Sequence, residues 1–272
     1  MIADYHIHTH LCGHAEGEPR EYVERAVALG MREMGFADHL PFLGGWEPKG
    51  VSAEGWAMAV SELDGYAATV LDLAGEYRAD IRILLGIEAD YIEATLEETA
   101  RVLDAYPFDY VIGSVHIIGD SFSFDHPDQR HRLPEYGVDR VFLESYELVA
   151  KAAATGLFRI MGHIDQAKKF GYRPDDEAAV AAAASRALRA IRKAGAAVEI
   201  NTAGWRKPVG EAYPALDLLA EAAELDIPLT FGSDAHRPED VGDEFERAAA
   251  LARDAGYTAV LRLSGGAPEA LR

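Results

Sequence analysis

Nine residues able to bind a metal ion, His6, His8, His14, His39, Glu88, His116, His163, Asp234 and His236, recur along the chain, each where an apolar, strand-like run gives way to a loop. A fold that satisfies this rhythm must bring the ends of many strands to one rim. Strand-like runs are expected near residues 2–8, 33–38, 81–87, 109–115, 158–162, 197–201 and 227–232, with helical patterns between them. Strand-then-helix units in succession require parallel strands with right-handed crossovers, because each helix returns the chain to the same end of the sheet. The expected class is therefore α/β, a seven-stranded barrel-like fold whose site lies at the C-terminal strand ends.

The intervening segments support this reading. Leu63, Tyr66, Val70 and Leu73 fall at three- and four-residue spacing, as do Val180, Ala184, Leu188 and Ile191, so each set forms one apolar stripe on a helix. Gly30, Gly156, Gly195 and Gly256 follow such patterns, where a helix ends in a left-handed residue. The longer connections 40–52 and 117–137 are expected to wall or cover a site on the rim. The 272 residues are close to the length of one barrel, and no linker, charge block or repeat divides them, so residues 1–272 are expected to form a single domain.

Composition excludes several classes of function. Hydrophobic residues make up 49% of the chain, yet no run approaches the roughly 20 apolar residues of a membrane span. The opening MIADYHIHTH has no basic or apolar leader region, so a cytoplasmic protein with no membrane partner is expected. Cys12 is the only cysteine, which rules out an internal disulfide; it is read as a small loop residue. A net charge of −20 repels long nucleic acid, while small phosphorylated substrates remain compatible, because bound cations reverse the field locally.

HIHTH at 6–10 is the strongest local signal. On an extended strand His6 and His8 project to the same face, about 7 Å apart along the backbone, and can share one cation. His10 is the odd one out, expected either to sit in the loop or to support a ligand from behind. The glycine-led strand ends GFADHL, GIEAD, GSVH, GHID and GSDAH repeat the pattern with His39, Glu88, His116, His163, Asp234 and His236. Imidazole-rich ligand sets with few carboxylates suit zinc, iron or manganese better than magnesium or calcium.

The series HxHT, DH, GxE, GSVH, GHxD and SDAH resembles the polymerase and histidinol phosphatase (PHP) superfamily over nearly the whole chain. The SVH strand end and NTAG-x-R at 201–206 resemble its histidinol-phosphate phosphatase branch. The resemblance implies a distorted seven-stranded (β/α)7 TIM-like barrel, the PHP fold, holding three divalent metal ions. Carried over position by position, His6, His8, Glu88 and Asp234 would hold the first ion. Glu88 would bridge to a second at His116 and His163, and His14, His39 and His236 would hold the third. Many family members have Asp where His14 stands.

Phosphate-ester hydrolysis needs a nucleophile at neutral pH and neutralisation of charge growing on the phosphoryl oxygens, and cations sharing Glu88 could supply both. The expected activity is conversion of L-histidinol phosphate to L-histidinol and phosphate in histidine biosynthesis, with Glu88, Asp165 and Asp234 as catalytic residues. Lys168, Lys169 and Arg206 follow polar strand ends and suit phosphate binding; by resemblance Lys169 and Arg206 match basic positions of this branch, and Asn201 would line the pocket. Asp165 would orient an imidazole, contact the substrate's ammonium or protonate the leaving alkoxide. His126 and His131 match no ligand motif and are read as solvated, while Trp46, Trp56 and Trp205 either wall an imidazole-bearing substrate or pack the rim. The alternatives are a PHP phosphoesterase acting on nucleotides or oligonucleotide ends, and a non-catalytic metal-binding PHP module.

Overall fold

The computed structural model describes residues 2–119, 121–265 and 267–271. In chain order the elements are α1 (Pro19–Ala28), β1 (Glu33–Phe36), α2 (Leu63–Glu76), β2 (Arg82–Asp90), α3 (Leu96–Ala105), β3 (Tyr110–Ser114), β4 (Ile117–Ile118), β5 (Phe122–Ser123), α4 (Leu133–Tyr136), α5 (Val138–Thr155), β6 (Ile160–Met161), α6 (Glu177–Ala194), β7 (Ala197–Asn201), α7 (Leu216–Glu224), β8 (Leu229–Gly232), α8 (Phe245–Asp254), β9 (Ala259–Val260) and β10 (Glu269–Ala270).

The main sheet has six strands in the order β1-β2-β3-β6-β7-β8, and every pair in it is parallel. Six strands replace the expected seven because residues 2–8 form isolated bridges, Asp4 to Met34 and Ile7 to Ala235, instead of a continuous ladder. This segment still lies between the two edges of the sheet. Tyr5 N donates to Phe231 O at 3.1 Å, and Gly35 N donates to Asp4 O at 2.9 Å. The interruption centres on Asp4. The Asp4 carboxylate accepts from the backbone N–H groups of His6, Ser233 and Gly242, a side-chain alternative to strand pairing.

Alternation along β2 divides its side chains between two environments. Ile83, Leu85 and Ile87 join the large core shared with the helices, whereas Leu84 joins Tyr5, Tyr110, Ile112 and Ile160 in a small core inside the curl of the sheet. Glu88 continues the Leu84 face at the C-terminal end of β2. Close packing inside the curl requires Gly86, since a Cβ there would lie 2.3 Å from the Tyr110 ring.

The expected helix stripes are buried: Leu63, Tyr66, Val70 and Leu73 on α2, and Val180, Ala184, Leu188 and Ile191 on α6. Each such side chain contributes about 1.5–3 kcal/mol on burial for the larger residues. Gly156 and Gly195 end α5 and α6 in the left-handed region, as expected. The connection 117–137 carries its own β4–β5 hairpin and α4 in place of a plain loop. Among the described residues, no helix is long and apolar enough to cross a membrane.

Candidate metal centre

Glu88, buried at the end of β2, is surrounded by five imidazoles. His163 Nε2 lies 3.0 Å from Oε1 and His116 Nε2 3.7 Å from it; His39 Nδ1, His6 Nε2 and His8 Nε2 lie 2.9, 3.4 and 3.6 Å from Oε2. His8 Nε2 also faces Asp234 Oδ1 at 3.1 Å. The His236 ring stacks on His8 at 4.2 Å between centroids and on His14 at 4.6 Å. All nine ligand candidates expected from the sequence thus meet in one pit, supplied by the 6–14 segment and the ends of β1, β2, β3, β6 and β8.

Several imidazoles are oriented by carboxylates whose partners the sequence alone did not reveal. His6 Nδ1 is 2.7 Å from Glu199, His116 Nδ1 is 2.9 Å from Asp90, and His8 Nδ1 is 3.4 Å from Asp38. A donated Nδ1–H fixes the tautomer that leaves Nε2 bare toward the pit. Glu199 Oε2 further accepts from His163 N at 3.2 Å and from Asn201 Nδ2 at 3.1 Å. Gly232 makes room for it, because a Cβ there would lie 2.0 Å from Glu199 Oε1. Two signals pointed this way: Glu199 interrupts the apolar run AVEIN, and Asp90 follows Glu88 by two residues on the same strand face.

The chemistry of this donor set fits divalent metal ions. His6 Nε2, His8 Nε2 and Glu88 Oε2 are buried, and the close approaches they make to one another, to Asp234 and to His39 are not aligned as hydrogen bonds. His14 Nδ1 lies 3.0 Å from Cys12 O and His236 Nδ1 lies 3.0 Å from Asp234 O, so both rings donate there; their bare Nε2 atoms face one another at 2.9 Å. Burial first, then the imidazoles of His39 and His8, lower His14 to about 4, so this facing pair carries lone pairs, not protons, at neutral pH. Two lone pairs at that distance repel unless a cation lies against them. Elsewhere in the pit burial alone would depress His8, but Asp234 and Asp38 beside it raise it to about 9, a measure of how strongly the carboxylates favour positive charge. Three-residue groups with ligand atoms within 4.8 Å of one another include His6, Glu88 and His163; His6, His8 and Asp234; and His8, His39 and His236. His163 and Asp234, two of the ligand candidates, hold positive φ angles of 21° and 52°.

The pit opens into a cavity of about 580 Å³ whose walls include Trp56, Asp125, His126, Gln166, Lys169, Arg206, Lys207 and Tyr213. Lys169 and Arg206 both line this cavity. Lys169 Nζ pairs with Asp125 at 3.0 Å, and Arg206 donates to Ser233 O at 2.7 Å and Asp243 at 3.1 Å. Lys207, which no motif marked, adds a third cation; desolvation and then neighbouring Lys169 lower its ammonium pKa.

Three expected site residues sit behind this wall instead of in it. Lys168 Nζ and Asp165 pair at 2.7 Å, both buried, and brace the 211–215 segment through Ala212 O and Ala215 N. Asn201 is fully buried, donating to Glu199 and to Asp234. His126, expected to be solvated, lines the cavity and stacks on Trp56 at 5.6 Å. His131 is exposed, Trp46 lines a different hollow, and Trp205 packs under Arg247. Cys12 is fully buried, and burial pushes its thiol up to about 12, which keeps it protonated.

Residues 4–203 match the PHP domain and residues 219–245 a PHP-associated segment. The chain belongs to the PHP family. A PHP relative from Deinococcus radiodurans, "Probable histidinol-phosphatase", is 41% identical over 255 residues, 94% of each chain. The histidinol-phosphatase of Bacillus subtilis is 32% identical over 89% of this chain and 96% of its own. The crystal structure of the histidinol phosphate phosphatase of Lactococcus lactis, complexed with zinc, L-histidinol and phosphate, superposes with a TM-score of 0.73 at 26% identity and 94% coverage of both chains.

Proposed function

We propose that this PHP protein is a divalent-metal-dependent phosphomonoesterase that hydrolyses L-histidinol phosphate to L-histidinol and phosphate. The observation that carries the reading is the pit of five imidazoles around buried Glu88, opening into a cavity walled by Lys169, Arg206 and Lys207. Full-length similarity to histidinol-phosphatases supports the choice of substrate.

In this reading His6, His8, Glu88 and Asp234 would hold one ion, Glu88, His116 and His163 a second, and His14, His39 and His236 a third, with zinc, iron or manganese preferred. Bound there, divalent ions supply positive charge against the phosphoryl oxygens and lower the pKa of water. The remaining work belongs to the chain. Glu199, Asp90 and Asp38 hold the imidazoles in their ligating tautomers. Arg206, Lys169 and Lys207 attract and orient the phosphate from the opposite wall. Asn201 holds the Asp234 carboxylate, and the Asp165–Lys168 pair positions the wall that carries Tyr213, a supporting role in place of direct catalysis.

The wider organisation follows the same reading: residues 2–8 fill the gap between the sheet's two edges, the place a seventh strand of the barrel would take, residues 1–272 act as a single domain, and the enzyme works in the cytoplasm. A kinetic comparison of histidinol phosphate with sugar and nucleotide monophosphates tests the proposal on metal-replete protein. A kcat/KM for histidinol phosphate well above every other ester is expected. A nucleotide turned over as well or better would overturn it.

A further inference from the structure

One wall of the cavity holds two buried hydrogen-bond acceptors that find no donor among the described residues. Asp125, at the end of the β4–β5 hairpin, and Gln166, after β6, both line the cavity and are 8% and 7% exposed. Asp125 uses only one carboxylate oxygen: Oδ2 takes the Lys169 ammonium at 3.0 Å and the Gln166 amide at 3.5 Å. Its Oδ1 and Gln166 Oε1 are buried without a partner among the described residues. The Gln166 amide cannot be turned to relieve this, because a carboxylate only accepts and its neighbour Asp125 needs the NH2. Leaving a buried acceptor unmade costs about 1–3 kcal/mol, more for a charged one, so the pair is built for a ligand that donates.

We propose that Asp125 and Gln166 form the seat for the primary ammonium of the substrate, and thereby select amino-alcohol phosphates over plain phosphate esters. An ammonium offers three N–H donors and a full charge, matching one carboxylate oxygen and one amide oxygen on the same wall. Phosphate offers no donor when ionised, and an imidazole offers a single N–H per nitrogen. Lys169 ties the seat to the phosphate side, since its ammonium bridges toward Asp125 while lining the same cavity; the two ends of a zwitterionic ester are thus read by neighbouring groups of opposite charge. Burial would raise the Asp125 carboxyl, but the Lys169 ammonium 3.0 Å away holds it below the usual range. The seat rests on the substrate reading above and adds to it the residues that discriminate.

The test compares L-histidinol with 4-(3-hydroxypropyl)imidazole, which keeps the ring and the alcohol and lacks only the amine, binding each to metal-replete protein by calorimetry. The wild type should prefer L-histidinol by about 10- to 100-fold, the range for a hydrogen bond to a charged group. Asp125→Asn should abolish most of that preference, and Gln166→Leu should narrow it independently. The kcat/KM ratio for the corresponding phosphate esters should fall in parallel. Equal weakening of both ligands by Asp125→Asn would make Asp125 only the counter-ion of Lys169 and overturn the seat, as would undiminished preference in both variants. A wild type that neither hydrolyses histidinol phosphate nor binds L-histidinol overturns the substrate reading together with the seat; preference in the wild type that both variants retain overturns the seat alone.

Discussion

At the scale of single residues, the site separates groups that ligate from groups that make ligation possible. Glu199 belongs to the second kind: one carboxylate accepts from His6 Nδ1, His163 N and Asn201 Nδ2. Glu199→Gln replaces an acceptor by an amide that fits neither tautomer cleanly, and metal affinity should fall about 10- to 100-fold with the fold intact, read by competition with a chromogenic chelator. Unchanged affinity would remove Glu199 from the centre. On the opposite wall Arg206→Ala and Lys207→Ala should each raise KM more than they lower kcat, since a ground-state phosphate contact is lost; steady-state kinetics giving an unchanged KM would clear the residue concerned. The ligand candidates themselves were legible because a histidine at the end of an apolar strand has few other reasons to be there. Glu199, Asp38 and Asp90 were not, because a carboxylate shows its purpose only once the facing imidazole is known. Asp165 and Lys168 illustrate the reverse: their polarity drew attention, yet three residues apart on a tight turn they pair with each other through Asp165 Oδ2 and brace the 211–215 segment.

At the scale of elements, close approach inside the curled sheet governs what can change. Gly232→Ala at the end of β8 would press a methyl group against Glu199 Oε1 and, at 2.6 Å, against His6 Cβ. A loss of about 1–3 kcal/mol in chemical denaturation is expected, together with weakened metal retention. Gly65→Ala on α2, where a new Cβ meets nothing, should instead stabilise by about 0.4–1 kcal/mol. On β1, Glu33 is buried and accepts from Tyr5 OH and Ser264 N, with Arg262 nearby. Burial would raise its pKa, but those hydrogen bonds and the Arg262 charge outweigh it and set it below 4.5. A carboxyl depressed in the folded state contributes stability above its unfolded pKa and loses it as pH falls through the folded one. Urea midpoints of wild type and Glu33→Gln should therefore diverge at neutral pH and converge on acidification; parallel profiles would contradict the assignment. Helix stripes and capping glycines were readable from period alone. The broken pairing of residues 2–8 was not, because it depends on Asp4 finding Ser233 and Gly242 far along the chain.

At the scale of the whole molecule, a chain of net charge −20 gathers seven of its ten histidines into one pit and sets Lys169, Arg206 and Lys207 in the wall of the cavity above it. The distant acidic surface disfavours polyanions, while the local field at the pit, once cations are bound, accepts a small phosphate ester. Fold class was legible from strand-and-helix alternation, and the family from motifs that sample every strand end. The cavity wall was harder, since Trp56, Asp125, His126 and Gln166 come from connections whose course no periodicity predicts. The most direct test of the central claim is elemental analysis of wild type and Glu88→Ala after identical metal loading and desalting. Two or more transition-metal ions per wild-type chain, and a clear loss in Glu88→Ala, is the predicted result. A wild type that retains none, or a variant that retains the full complement, would contradict it.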